Sequence, residues 1–185
     1  MALTKTPVCD FGKKAEDFKL KSINNKVISL NDIKGKKATL IMFICNHCPY
    51  VKAIIKDLAK DCKELEDDGI SSIAIMSNDT KNYPEDSFDN MIEFADNNNF
   101  GNINYLFDET QEIARKYGAV CTPDFFGYNR KLELQYRGRF RELKDLKPVN
   151  NDDSDLKIAM KMVAQTQKGP DEQIPSMGCN IKWFN

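Results

Sequence analysis

At 185 residues the chain has the length of one ordinary domain, and its 41% hydrophobic and 30% charged residues are the composition of a packed globular protein rather than a disordered one. Its 27 basic and 28 acidic side chains leave a formal charge of -1, which gives no positive field for phosphate or anionic lipid, so neither nucleic acid nor a membrane is an expected partner. The longest apolar run, residues 38–45, is too short to span a bilayer, and MALTKTPVCDFGKK at the start lacks the apolar core of a secretory signal, so a cytoplasmic protein with six reduced cysteines is expected.

Phe18, Leu20 and Ile23, then Val27, Ile28 and Leu30, flank Asn24-Asn25, a pair that tolerates the left-handed backbone of a tight turn and so predicts an N-terminal β-hairpin. Residues 39–44 are continuously apolar and β-prone, as a strand buried on both faces should be. Over residues 49–68, Val51, Ile54, Ile55, Leu58, Cys62 and Leu65 recur at helical spacing, and Gly69 supplies a stop. Residues 70–76 read as another buried strand, so strand, helix and strand predict a parallel pair with a right-handed crossover. Pro84 opens a helical pattern carried by Phe88, Met91, Ile92 and Ala95, which ends in Asn97-Asn98-Asn99. A shorter helix is expected over residues 110–117. Residues 125–128 and 132–136, around the turn Asn129-Arg130-Lys131, predict an antiparallel edge, and residues 153–167 a last helix. Residues 174–185 show little regular pattern. The expected fold is α/β, a mixed central β-sheet flanked by helices. It forms a single domain over residues 1–185, with 170–185 as a C-terminal tail.

Chemistry concentrates in Cys45-Asn46-His47-Cys48-Pro49, where the central strand ends and the first long helix begins. A helix N-terminus presents unpaired N–H groups and partial positive charge, both of which favour thiolate over thiol. Cys45 is therefore expected to have a lowered pKa and to be the attacking sulfur. Cys48, three residues on, should lie within disulfide reach and take over the mixed disulfide. His47 is the only histidine; as a cation it would tune the pair toward thiolate and toward oxidising behaviour, and as a plain turn residue it would do neither. The spacing is also half of a zinc site, which Cys121 and Cys179 would have to complete without a second CxxC. Neither a metal nor a cofactor is expected.

Beyond that motif, Ser77-Asn78-Asp79, Tyr83-Pro84-Glu85-Asp86-Ser87, Thr122-Pro123-Asp124-Phe125-Phe126, Tyr136-Arg137-Gly138-Arg139 and Gly178-Cys179-Asn180-Ile181-Lys182-Trp183 follow in order. With this set the sequence resembles the thioredoxin-like superfamily, and within it a bacterial redoxin branch of the AhpC/TSA, peroxiredoxin-related type. The resemblance implies a thioredoxin-like fold in which Thr122-Pro123 is the Thr-cis-Pro element beside the cysteine pair, lining the substrate groove. It implies thiol-disulfide oxidoreductase activity on a protein or small-molecule disulfide, with a thioredoxin- or glutathione-type reductant. The alternative is a peroxiredoxin-like thiol peroxidase with Cys48 peroxidatic. Against it, Cys45 replaces that pattern's Thr, Ile41 its Pro, and no Arg stands near Pro123; Arg137 or Arg139 would have to substitute. A copper- or zinc-binding chaperone of this fold is a third reading, for which the usual distal histidine is missing.

Cys179 is the candidate resolving thiol for a sulfenic acid or mixed disulfide at Cys48 or Cys45, against a simple packing role in an anchored tail. Cys62 lies on the apolar stripe of its helix and Cys121 is expected in the core. Cys9 receives no role. Tyr83-Pro84-Glu85-Asp86 follows a parallel strand and should rim the site.

Overall fold

The computed structural model describes residues 3–184. A short strand β1 (Leu3–Lys5) precedes the hairpin of β2 (Lys19–Ser22) and β3 (Val27–Ser29), whose turn holds Asn25 at φ 59°. Asparagine adopts that geometry more readily than most side chains because its amide can bond locally. Ser29 then caps α1 (Leu30–Ile33) in a reciprocal box with Asp32. The central strand β4 (Ala38–Phe43) is buried at every position, followed by α2 (Pro49–Asp67) and β5 (Ile70–Met76), which pairs with β4 in parallel as the sequence predicts.

The pattern opened by Pro84 divides in two. A 3-10 turn over Pro84–Asp86 comes first, and α3 (Phe88–Asn97) starts only after Ser87, whose hydroxyl accepts from the Asn90 amide. β6 (Asn104–Phe107), which the asparagine-rich sequence around it conceals, pairs in parallel with β5. Then come α4 (Glu112–Tyr117), β7 (Cys121–Thr122), β8 (Asp124–Asn129) and β9 (Leu134–Tyr136), the last two forming the expected antiparallel edge. A small hairpin, β10 (Leu143–Lys144) and β11 (Lys147–Pro148), precedes α5 (Asp155–Thr166), which Ser154 caps. The tail is not patternless: β12 (Met177–Asn180) lies between β1 and β7 in a second, antiparallel sheet.

The main sheet runs β3-β2-β6-β5-β4-β8-β9, with parallel pairing only at β6-β5 and β5-β4. Side chains of β4 divide between two cores. Leu40 and Met42 face Leu58, Leu65 and Met160 beneath α2, α3 and α5, while Ile41 and Phe43 face Ile113 and Tyr117 beneath α4. Each such fully buried aliphatic side chain stabilises the fold by roughly 1.5–3 kcal/mol, which makes β4 a rigid base for the loop at its end. Among the described residues no helix is long and apolar enough to cross a membrane.

Candidate active site

β4 and α2 together place the cysteines. β4 stops at Phe43, and Cys48 is the N-cap of α2, with φ -64° and ψ 124° and Pro49 at the first helical position. Facing this loop is the Thr122-Pro123 peptide, which is cis as the resemblance implies. The Cys45 sulfur lies 3.3 Å from Thr122 Oγ1, and Cys48 Sγ lies 3.2 Å from the Thr122 carbonyl oxygen. Opposite them, β12 pairs with β7 so that Cys179 faces Thr122, and the Cys179 and Cys48 sulfurs stand 2.8 Å apart. Three of the six cysteines thus meet at one point, with Cys48 in the middle.

Ionisation is divided unequally among them. The Cys48 thiol is lowered to about 5, chiefly because Cys45 hydrogen-bonds to its anion; burial opposes this, and the Cys179 thiol and the Val51 and Cys179 amides add to the lowering. Cys45 moves far upward, first because it donates to Cys48, then through burial and the negative charge of Asp86. Cys179 rises to about 12 by burial and by donating to Cys48. The anionic sulfur is therefore Cys48 and not Cys45, the reverse of the expectation from the helix mouth. The physical reason is the hydrogen bond between them: Cys45 donates to Cys48, burial and the nearby Asp86 carboxylate hold the proton on Cys45, and the Val51 amide adds a smaller stabilisation of the Cys48 anion.

That carboxylate is fully buried. Asp86 Oδ1 accepts from the Asn46 and His47 amides at 2.8 and 3.3 Å, and Oδ2 accepts from Asn78 Nδ2 at 2.8 Å and meets His47 Nδ1 at 2.7 Å. The bond to Asp86 raises the His47 pKa above its usual 6.5. His47 also stacks on Tyr83 with centroids 5.6 Å apart. Its charge is matched by Asp86 at once, so any influence on the sulfurs passes through that pair. The residues Tyr83 to Asp86 do border the site, with Tyr83 to Glu85 as its rim and Asp86 as a buried anchor. Tyr105 was not singled out by sequence, yet its hydroxyl bonds Asn46 Oδ1 at 2.9 Å and fixes the loop from below. A buried tyrosine in an unrecognised strand leaves no sequence signal of that kind.

Cys45, His47 and Asp86 are the one group among the described residues whose donor atoms could hold a metal ion, lying within 4.8 Å of one another. Asp86 already receives four hydrogen bonds, which suits an imidazolium–carboxylate pair better than a ligand set. Cys121, one of the residues needed to complete a zinc site, turns its thiol to the Pro123 carbonyl at 3.6 Å. Cys62 is fully buried in its helix face.

The site is roofed. Cys45, Cys48 and Cys179 are 1%, 0% and 2% exposed, because β12 lies across the groove beside Thr122. Gly178 permits this approach: a Cβ there would stand 2.1 Å from the Thr122 carbonyl oxygen. Ser176 donates to the Pro123 carbonyl at 2.9 Å, and beyond the strand the Lys182 amide donates to Asn78 Oδ1 at 2.9 Å. The tail strand thus closes over the dithiol at the helix mouth.

Neither candidate arginine is free to act as a substitute cation. Arg137 Nη2 bonds the buried Asp124 carboxylate at 3.0 Å and the Gly118 carbonyl at 2.8 Å, and Arg139 Nε bonds Asp155 at 2.5 Å.

A family model described as the AhpC/TSA family matches residues 11–140. Among curated proteins nothing matches. Among solved structures, an uncharacterized conserved protein from Geobacillus kaustophilus is 39% identical over 100% of this chain and 97% of its own, with a TM-score of 0.89. A hypothetical protein from Sinorhizobium meliloti 1021 is 35% identical over 98% of both chains, with a TM-score of 0.90. The thioredoxin domain of a thiol-disulfide oxidoreductase from Bacteroides vulgatus is 16% identical over 70% of this chain and 89% of its own, at a TM-score of 0.59, a likeness of fold. With the family model spanning more than half of its length over a thioredoxin-like architecture, the chain belongs to the AhpC/TSA family.

Proposed function

We propose that the protein is a thiol-disulfide oxidoreductase in which Cys48 is the reacting sulfur and Cys45 and Cys179 are its partners within the chain. The observation that carries this reading is the meeting of three sulfurs at the Thr122-Pro123 peptide, with Cys48 Sγ 2.8 Å from Cys179 Sγ and hydrogen-bonded by Cys45, a contact that lowers the Cys48 thiol. The Cys48 thiolate attacks a substrate disulfide RS–SR′, forms the Cys48–SR bond and expels R′S⁻. R′S⁻ takes up a proton, Cys45 gives one up, and its sulfur attacks Cys48, displacing RS⁻ and closing a Cys45–Cys48 disulfide. Two electrons have then passed to the substrate, and an external thiol of the thioredoxin or glutathione type returns them. Cys179 can close the alternative Cys48–Cys179 bond by the same exchange. Thr122 and Pro123 form the wall beside the reacting sulfur, and the His47–Asp86 pair holds the loop.

A second reading, thiol peroxidase, is favoured by the roof over Cys48, which admits a hydroperoxide more easily than a folded protein. There the thiolate takes the terminal oxygen of ROOH to give Cys48–SOH and alkoxide, and Cys45 or Cys179 condenses with it, releasing water. The ion pairs that engage Arg137 and Arg139 speak against it.

Reduced protein mixed separately with hydrogen peroxide and with an oxidised dithiol, its thiols counted by mass at short times, separates the two. Exchange predicts rapid loss of two thiols with the dithiol and slow loss with peroxide, and no turnover in Cys48→Ser. Rapid sulfenate formation with peroxide alone would replace the first reading by the second.

A further inference from the structure

Beside Pro123, between the start of α2, the segment around β10 and the tail leading into β12, lies a cavity of about 470 Å³. We infer that it binds a small amphipathic carboxylate, an acid with an apolar body of medium chain length. Its size is that of a small-molecule site. Tyr50, Ile54, Phe140 and Leu143 supply apolar walls. Ile174 and Leu146 at its border are 54% and 40% exposed, so the apolar lining extends to the opening.

Charge decides what the apolar body must carry. Lys5, Arg139 and Arg141 line the cavity against one acid, Asp145. Arg139 is matched by Asp155 and Glu142. Arg141 is not so well served: its Nη1 reaches Asp57 only at 3.6 Å and the Asn150 carbonyl at 3.5 Å, and its buried Nε has no acceptor among the described residues. No acidic side chain among the described residues pairs with Lys5. Arg141 thus lines the cavity with a guanidinium whose Nη1 has only distant acceptors, and a carboxylate in the cavity supplies the planar, anionic partner that guanidinium geometry prefers. The apolar walls then favour an acyl body over a bare anion such as phosphate. The cavity shares Pro123 and the tail residues Ser176 and Met177 with the roofed cysteine site, but none of the reacting sulfurs lines it, so binding can be measured apart from exchange.

Isothermal titration of the whole protein with octanoate, octan-1-ol and inorganic phosphate tests it. The expected result is one octanoate per chain, bound at least about tenfold more tightly than octan-1-ol, with phosphate giving no heat. Arg141→Met should weaken octanoate about tenfold, the loss of one charge-assisted hydrogen bond, and Lys5→Glu on the exposed first strand should weaken it in the same direction. Lys5→Glu keeps the test decisive if Arg141→Met fails to fold. Absence of octanoate binding at millimolar concentration, equal binding of octan-1-ol, phosphate binding as tight as octanoate, or octanoate affinity unchanged by the folded variants would overturn the assignment.

Discussion

Cys179 stands opposite Thr122 in the antiparallel pairing of β12 with β7, and that register brings its sulfur to 2.8 Å from Cys48. The strand pairing and the sulfur contact are one feature: the tail occupies the groove beside Pro123 and delivers a thiol into it. What the tail covers is the sulfur whose thiol pKa its neighbours lower, so its position governs both what meets Cys48 and how far the thiolate is favoured.

The ionisation of Cys48 is directly measurable. Absorbance of thiolate near 240 nm should rise in a step with a midpoint near pH 5 in the reduced wild type, and this step should vanish in Cys48→Ser. In Cys45→Ala the main donor to the anion is gone, so the midpoint moves upward. A step near pH 5 that persists in Cys48→Ser would place the charge on another sulfur.

Replacing Gly178 should lift the roof. Because a Cβ at this position would stand 2.1 Å from the Thr122 carbonyl oxygen, Gly178→Val cannot keep β12 against β7. Alkylation of Cys48 by iodoacetamide at neutral pH should quicken by at least about tenfold as the tail opens more often. An unchanged rate would mean that reagent reaches Cys48 by another path.

The His47–Asp86 pair predicts a pH dependence of stability. Its bond to Asp86 raises the folded-state pKa of His47 above 6.5, so the pair's contribution is complete below the unfolded value and is lost as pH rises through the folded one. Urea unfolding should therefore show wild type exceeding His47→Gln by most at about pH 6, with the two converging in alkali. A constant difference across that range would indicate that the pair contributes by packing alone.

Arg137 anchors the start of β8, directly after Pro123. Its guanidinium is bonded to Asp124, which is fully buried and whose carboxyl is pushed upward by that burial, with Arg137 opposing the push. Arg137→Met leaves the carboxyl without its counter-ion and should cost about 3–5 kcal/mol in urea unfolding. A loss below about 1 kcal/mol would show the pair to be screened like a surface ion pair.

Much of this architecture was legible because local signals and burial agree. Residues 39–44 and 70–76 read as buried strands, and Pro49 with the apolar stripe through Leu65 reads as the helix that joins them, all as found. Elements stabilised by distant pairing were not legible. β6 is made a strand by β5, and β12 by β1 and β7, while the surrounding sequence is polar or patternless. The same limit applies to the site. Cys45, His47, Cys48, Thr122 and Cys179 were all visible as residues, but which sulfur carries charge depends on the Asp86 carboxylate, the Val51 amide and the docked tail. Spacing along a chain does not reveal those neighbours.

The most direct test is disulfide mapping after a single oxidising turnover. Reduced protein is exposed to one equivalent of an oxidised dithiol, quenched with acid, alkylated and digested, and each cysteine is assigned by mass. Cys48 should appear in every disulfide recovered, joined to Cys45 or to Cys179, with Cys62 and Cys121 alkylated as free thiols. Recovery of Cys48 as a free thiol while Cys45 or Cys179 is oxidised would contradict the account.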